Sequence, residues 1–217
     1  MRKLFILILC LTFLSGCMGI VRTTTTTFHG KGHEQRGSIF VAAADAQVNG
    51  SLEFSHYKQR VEEKLITIGY TLSPTAEKAD FIALVAYGID NGKTSIVSTP
   101  IFGQTGGGTT YSSGSVYGYG GSASYSGTSY TMPTYGIVGS STSSQTEYTR
   151  AIALDIVDAK SIESGKPEKL YEMRARSTGS CSSINGVFDE ILEAMFKSFP
   201  GDSGKSQTIE VPWDGSC

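Results

Sequence analysis

The apolar positions of this chain fall into two rhythms. Ser38-Ile39-Phe40-Val41-Ala42-Ala43-Ala44 is a short continuous run that predicts a strand, and turn residues gather behind it at Asn49 and Gly50. From Ser51 the spacing lengthens. Phe54, Tyr57, Val61, Leu65 and Ile68 recur at helical intervals and share one face, while Lys58, Glu62 and Glu63 point elsewhere. Gly69 ends this helix, because a left-handed C-cap costs glycine least. Phe81-Ile82-Ala83-Leu84-Val85-Ala86-Tyr87 is apolar on both alternations, which predicts a central strand covered on both faces. Strand, helix and strand in that order imply a right-handed crossover.

A second set follows from Glu147. Tyr148, Arg150, Ile152, Leu154 and Ile156 share one face of a strand, with Asp155 opposite and Asp158 at its end. Beyond a turn running to Pro167, Tyr171, Met173 and Ala175 alternate with Glu172, Arg174 and Arg176. That predicts a strand with one wet face near an edge, paired with its predecessor as an antiparallel hairpin. Ser182 or Ser183 caps a second helix striped by Ile184, Val187, Phe188, Ile191, Leu192, Met195, Phe196 and Phe199, and Pro200-Gly201 stops it. Gln207 to Val211 reads as a short last strand before the tail Pro212 to Cys217. The expected fold is α+β: a small, mainly antiparallel sheet of three or four strands with two helices packed on one face, a single domain over 38–217.

Between the two sets the pattern stops. Residues 94–146 contain no Asp, Glu, Lys or Arg and are crowded with Gly, Ser, Thr and Tyr. Segments this long inside a domain are functional or disordered. One reading is a low-complexity insertion joining two adjacent strands and ordered near its ends. The other is an interaction surface, because tyrosines spaced by small residues supply contact area at low side-chain entropy cost. Tyr111, Tyr117, Tyr119, Tyr125, Tyr130 and Tyr135 are then the partner contacts. Uncharged aromatic tracts also self-associate through β-pairing.

At the other end, Arg2 and Lys3 precede an apolar run from Leu4 to Leu14, the length of a secretory core and short of a membrane span. Leu14-Ser15-Gly16-Cys17 resembles the lipobox of bacterial lipoproteins. The resemblance implies cleavage before Cys17, a signal over 1–16, lipid on Cys17 and, with Met18 rather than Asp next, the outer membrane on its periplasmic side. Residues 17–37, polar and glycine-bearing, read as a flexible tether. His29 and His33 within it could ligate a metal only if helical, and Gly30 and Gly32 oppose that; no metal is expected.

Charge and cysteine count then narrow the function. Removing Arg2 and Lys3 leaves 16 basic against 20 acidic residues, a balance of −4 in place of −2. No basic stripe exists to neutralise phosphates, so nucleic acid is excluded as partner. Of four cysteines, Cys10 leaves with the signal and Cys17 carries lipid. In an oxidising compartment the remaining pair, Cys181 and Cys217, most simply form a disulfide.

Catalytic motifs fail. Gly88-Ile89-Asp90-Asn91-Gly92-Lys93-Thr94 is one residue short of a phosphate-binding loop and reads as a turn. Gly118 to Ala123 matches a dinucleotide pattern only within low-complexity sequence. Cys181 with His56 is a conceivable thiol pair, which a disulfide forestalls.

The order of features carries a family resemblance. A helix ending Leu65-Ile66-Thr67-Ile68-Gly69-Tyr70, then Ala79 to Tyr87, a Gly/Tyr-rich middle, Leu154 to Lys160 and a last helix ending Phe199-Pro200 resemble an uncharacterised family of bacterial lipoproteins known as a domain of unknown function, over Ser38 to Pro200. It implies an α+β domain facing the periplasm with no assigned activity; the tail, with Cys181 and Cys217, departs from it. The expectation is a non-enzymatic binding or scaffolding component of the envelope, without cofactors, held to the membrane by lipid and contacting another envelope protein or the cell wall. The alternatives are a wall-modifying hydrolase and a surface component self-assembling through the Gly/Tyr tract.

Overall fold

The structure, a computed structural model, describes residues 19–163, 165–197 and 199–217. The lipobox and Cys17 lie outside the described residues. In chain order the elements are strand β1 (Gly19–His29), β2 (Ser38–Ala43), helix α1 (Leu52–Thr67), β3 (Thr71–Leu72), β4 (Phe81–Ile89), β5 (Lys93–Gly118), β6 (Gly121–Asp158), the short helix α2 (Ala159–Glu163), β7 (Lys169–Gly179), helix α3 (Phe188–Lys197) and β8 (Ser206–Trp213). They divide into two compact units, residues 94–146 and the rest.

The larger unit is built on a mixed sheet ordered β3-β2-β4-β6-β7-β1-β8, with β5 paired to β6 off that path. β2 runs parallel to β3 and to β4, where Ile39 lies beside Phe81 and Val41 beside Ala83. Every other pairing is antiparallel. α1 packs against β2, α3 against β1, β7 and β8, and the helices touch each other. One core cluster results, with Tyr57 of α1 stacked on Phe188 of α3 at 4.0 Å between ring centroids and Tyr87 edge-on to Tyr57 at 4.6 Å. Ser51 caps α1, its side chain accepting from Phe54 N at 3.0 Å.

This corrects the expected fold class. The sheet has eight strands and is mixed, not a small antiparallel sheet under two packed helices, and strand makes up 57% of the structure. Much of the added strand comes from polar sequence. The expected tether carries β1, inserted between β7 and β8, with Thr25 opposite both Ala175 and Gln207. Thr23, Thr25 and Thr27 are buried while Arg22 and Thr24 face water, so threonines with β-branched side chains supply the inward positions that apolar residues usually fill. β7 is consequently interior rather than near an edge. β4 is interior as expected, though its outer face is covered only at the start: Ile82 is buried and Ala86 exposed. The second helix starts at Phe188, not at a serine cap, because a 3₁₀ turn over Asn185–Val187 takes up the first part of the apolar stripe.

Candidate functional site

Residues 94–146, expected to be ordered only near their ends, form a β-hairpin from the long arms of β5 and β6, joined by the two-residue turn Tyr119-Gly120. Hydroxyl contacts fasten the arms along their length: Thr94 to Thr146 at 2.8 Å between Oγ1 atoms, Thr105 Oγ1 donating to Thr134 O at 3.2 Å, and Ser112 Oγ to Gly127 O at 3.4 Å. Glycine stands where the facing chain comes closest. A Cβ on Gly114 would lie 2.7 Å from the Tyr125 ring, and one on Gly107, already at φ +79°, would lie 2.3 Å from Met132 O.

All six tyrosines singled out from the sequence lie on this hairpin, from 57% exposed at Tyr125 to 114% at Tyr119 at the turn. Nearer the base, Ile96, Val97, Ile101 and Phe102 on β5 and Met132, Ile137 and Val138 on β6 are exposed too. Through this stretch each arm has one neighbour among the described residues, the other arm: the pairings of β6 with β7 and β4 begin only at Tyr148 and Arg150. The outer edges therefore present unpaired backbone N–H and C=O groups beside apolar and aromatic side chains, without a formal charge over the whole length.

The larger unit carries two further polar constellations that the sequence reading missed. On the face of the sheet away from α1 and α3, Arg22, Thr24, Thr26, Glu147, Arg174, Arg176 and Thr178 line a shallow trough of about 730 Å³. Two of its arginines are held by carboxylates. Arg22 pairs with Glu210 at 2.6 Å, and Asp155 takes both Arg174 and Lys169. Hydrogen bonding to Asp155 holds the Arg174 guanidinium above its ordinary pKa, and bonds to Glu172 and then Asp155 raise Lys169. The alternation of Glu172, Arg174 and Arg176 already marked this face as wet; what lay hidden was that the threonine run sits beside it.

On the helix side, Arg150 is buried. Its Nη1 donates to Cys181 O at 3.0 Å and its Nη2 to Ser177 Oγ at 3.2 Å, while its Nε has no hydrogen-bond partner among the described residues. Burial lowers the pKa of this guanidinium, and the charge of Asp90 opposes the effect. Cys181 and Cys217 are joined as a disulfide. Trp213 Nε1 donates to Gly186 O at 2.9 Å, so the tail lies over the turn preceding α3. Cys181 is thus buried and oxidised, which removes it from any pairing with His56 as a nucleophile.

His29 and His33 stack at 3.8 Å between centroids, bonded to the carbonyls of Gly201 and Gly30 respectively. Of the Gly88 to Thr94 segment, read from the sequence as a turn, the ends belong to β4 and β5 and only residues 90–92 form the connection, with Asp90 Oδ1 accepting from Gly92 N at 3.0 Å and from Thr149 N at 2.9 Å. Those backbone donors hold the Asp90 carboxyl below its ordinary pKa.

A family model described as a domain of unknown function (DUF4136) matches residues 25–201. The match begins within β1, at Thr25, and stops before β8 and Cys217. No curated protein matches the chain. Three solved chains do, among them a PDZ domain protein from Parabacteroides distasonis, 14% identical, with a TM-score of 0.43 over 90% of this chain and 40% of that one.

Proposed function

This chain belongs to the DUF4136 family, a domain of unknown function, and we propose that it serves as a non-enzymatic binding or scaffolding component of the bacterial cell envelope, with the β5/β6 hairpin as its partner contact. The observation that carries this reading is the hairpin itself. It holds six exposed tyrosines and seven further exposed apolar side chains nearer its base, and a concentration of exposed large apolar side chains is what marks an interaction surface. Tyrosine adds large contact area with few rotatable bonds, and the surrounding Ser, Thr and Gly adapt their hydrogen bonding to a partner.

Localisation enters the proposal through Leu14-Ser15-Gly16-Cys17. A lipid on Cys17 would tie the protein to the outer membrane facing the periplasm, and burial of more than one acyl chain makes such anchoring stable. Because β1 includes Gly19, only Met18 lies between that lipid and the folded sheet, a reach of at most about 7 Å over two residue steps. The domain would sit against the headgroups rather than on a tether. An envelope protein or a cell-wall component is the expected partner, and nucleic acid is not.

Site-specific photocrosslinking tests the contact. A photoreactive residue at Tyr117 should give adducts in intact envelopes, and one at Lys58 on α1 should not. Deleting Gly106 to Ser140 should abolish capture while the thermal midpoint of the remaining domain holds. Equal adducts at both positions, or capture unchanged by the deletion, would reject the hairpin as the contact. Intact mass of the mature protein tests the anchor, since a lipid-free terminus other than Cys17 is incompatible with it.

A further inference from the structure

We propose that the partner of the hairpin is a second copy of the same hairpin, joined edge to edge by β-pairing; this rests on the reading of the hairpin as a contact element. The argument starts from how the chain treats its other strand edges. At one side of the sheet β3 is only two residues long, too short to template another strand. At the other, β8 carries Glu210 and Pro212 and follows Lys205, and charge and proline are what keep an edge from pairing. The hairpin has none of this protection over most of its length. Its arms are the longest strands in the chain, they carry no charge from Thr94 to Thr146, and Pro100 and Pro133 are their only prolines.

A two-stranded ribbon standing by itself is marginal in water, because half of its backbone groups face solvent and no third strand covers its apolar side chains. A further strand supplies both. The absence of charge selects which strand. A partner recognised by charge complementarity would find nothing to pair with here, whereas a copy of the same uncharged sequence meets no like-charge repulsion. Its alternation of small residues with Tyr, Ile and Val also matches, since Gly114 already accepts the Tyr125 ring across the native ladder and Gly103 accepts Val138. The composition argues against lipid in that role. Gly, Ser, Thr and Tyr dominate both arms of the tip from Thr109 to Thr131, and a strand facing acyl chains needs an apolar residue at every second position.

The full-length lipidated protein in detergent, and in phosphatidylethanolamine/phosphatidylglycerol vesicles, is the material for the test, with stoichiometry read by mass photometry and by single-molecule bleaching. The wild type should be dimeric or larger in both. Thr99→Lys with Ser113→Lys, both on β5 and so not facing each other across the native ladder, should lower association by about tenfold or more, as should the matching two glutamates, through like-charge repulsion across the new ladder. Mixing the Lys and Glu proteins should restore it, which a misfolded hairpin would not allow. A monomeric wild type, association indifferent to the charges, or association confined to vesicles would each overturn self-pairing. A monomer that still gives Tyr117 adducts to another protein would overturn it while leaving the proposed function standing. Loss of all Tyr117 adducts would remove that function instead.

Discussion

The guanidinium of Arg150 donates to the carbonyl of Cys181 across 3.0 Å inside the core, with no carboxylate among the described residues in hydrogen-bonding contact. It joins the central strand β6 to the loop that carries the disulfide, and its second bond, to Ser177 Oγ, reaches the neighbouring strand β7. A buried cation held by neutral acceptors is costly to desolvate, and so are the acceptors it would leave behind. Arg150→Ala should therefore destabilise the larger unit by about 2 to 4 kcal/mol, combining a cavity with two stranded acceptors. Arg150→Met should cost less, because it fills the space without a charge. Urea midpoints of the two variants check the order, and a more stable alanine variant would contradict it.

The disulfide closes a loop with a sequence separation of 36 residues. On the chain-entropy account that constrains the unfolded state by about 3 to 4 kcal/mol. Reduction, or Cys181→Ser with Cys217→Ser, should lower the thermal midpoint accordingly. It should also raise amide exchange in the tail, although Trp213 keeps its bond to Gly186 O. A midpoint unchanged by reductant would show that the bridge constrains nothing the rest of the fold does not already hold.

Gly107 is the position where the hairpin is least tolerant. With φ at +79° and Met132 O in the space a Cβ would occupy, Gly107→Ala meets both backbone strain and a clash. The local cost should be about 1 to 3 kcal/mol. Since residues 94–146 form a unit of their own, faster amide exchange should be confined to them while the thermal midpoint of the larger unit is kept. A global loss of stability would show the two units to be coupled.

How much of this was legible in the sequence depended on what kind of residue filled the inward positions. Where Phe54, Tyr57, Val61 and Leu65 did so, α1 was readable within a residue or so, and the alternation of Tyr171, Met173 and Ala175 gave β7. Where Thr23, Thr25 and Thr27 did so, the period of two was present but invisible to a hydrophobic count, and β1 reads as a tether. That one omission moved β7 from the interior to an edge and hid both the outer-face trough and the pairing with β8. The composition of residues 94–146 set them apart from the rest of the chain but did not show their order, because arms of Gly, Ser and Thr find their stability in the ladder between them rather than in side-chain periodicity. The strand-helix-strand order implied a crossover, and β2 does run parallel to β4, but the register of Ile39 beside Phe81 was not legible because order alone does not fix it.

Asp80 should govern part of the acid response. Its Oδ2 accepts from Ser38 N at 2.9 Å and from Ser38 Oγ at 2.7 Å, tying the start of β2 to the entry of β4. The Ser38 hydroxyl first, and then the Ser38 amide, hold this carboxyl below its ordinary pKa. A depressed acid binds its proton less readily in the folded state than in the unfolded one, so its contribution is complete above the unfolded value of about 3.9 and disappears as pH falls through the lower folded value. Stability should consequently decline on acidification below about pH 4, and Asp80→Asn should flatten that limb because nothing is left to titrate. The amide also loses the charge-assisted character of both bonds, so the variant should be weaker than wild type at neutral pH. Urea midpoints between about pH 6 and pH 3 measure both effects. A variant as stable as wild type at neutral pH, with an unchanged acid slope, would mean that the Ser38 contacts contribute nothing and that other carboxylates set the response.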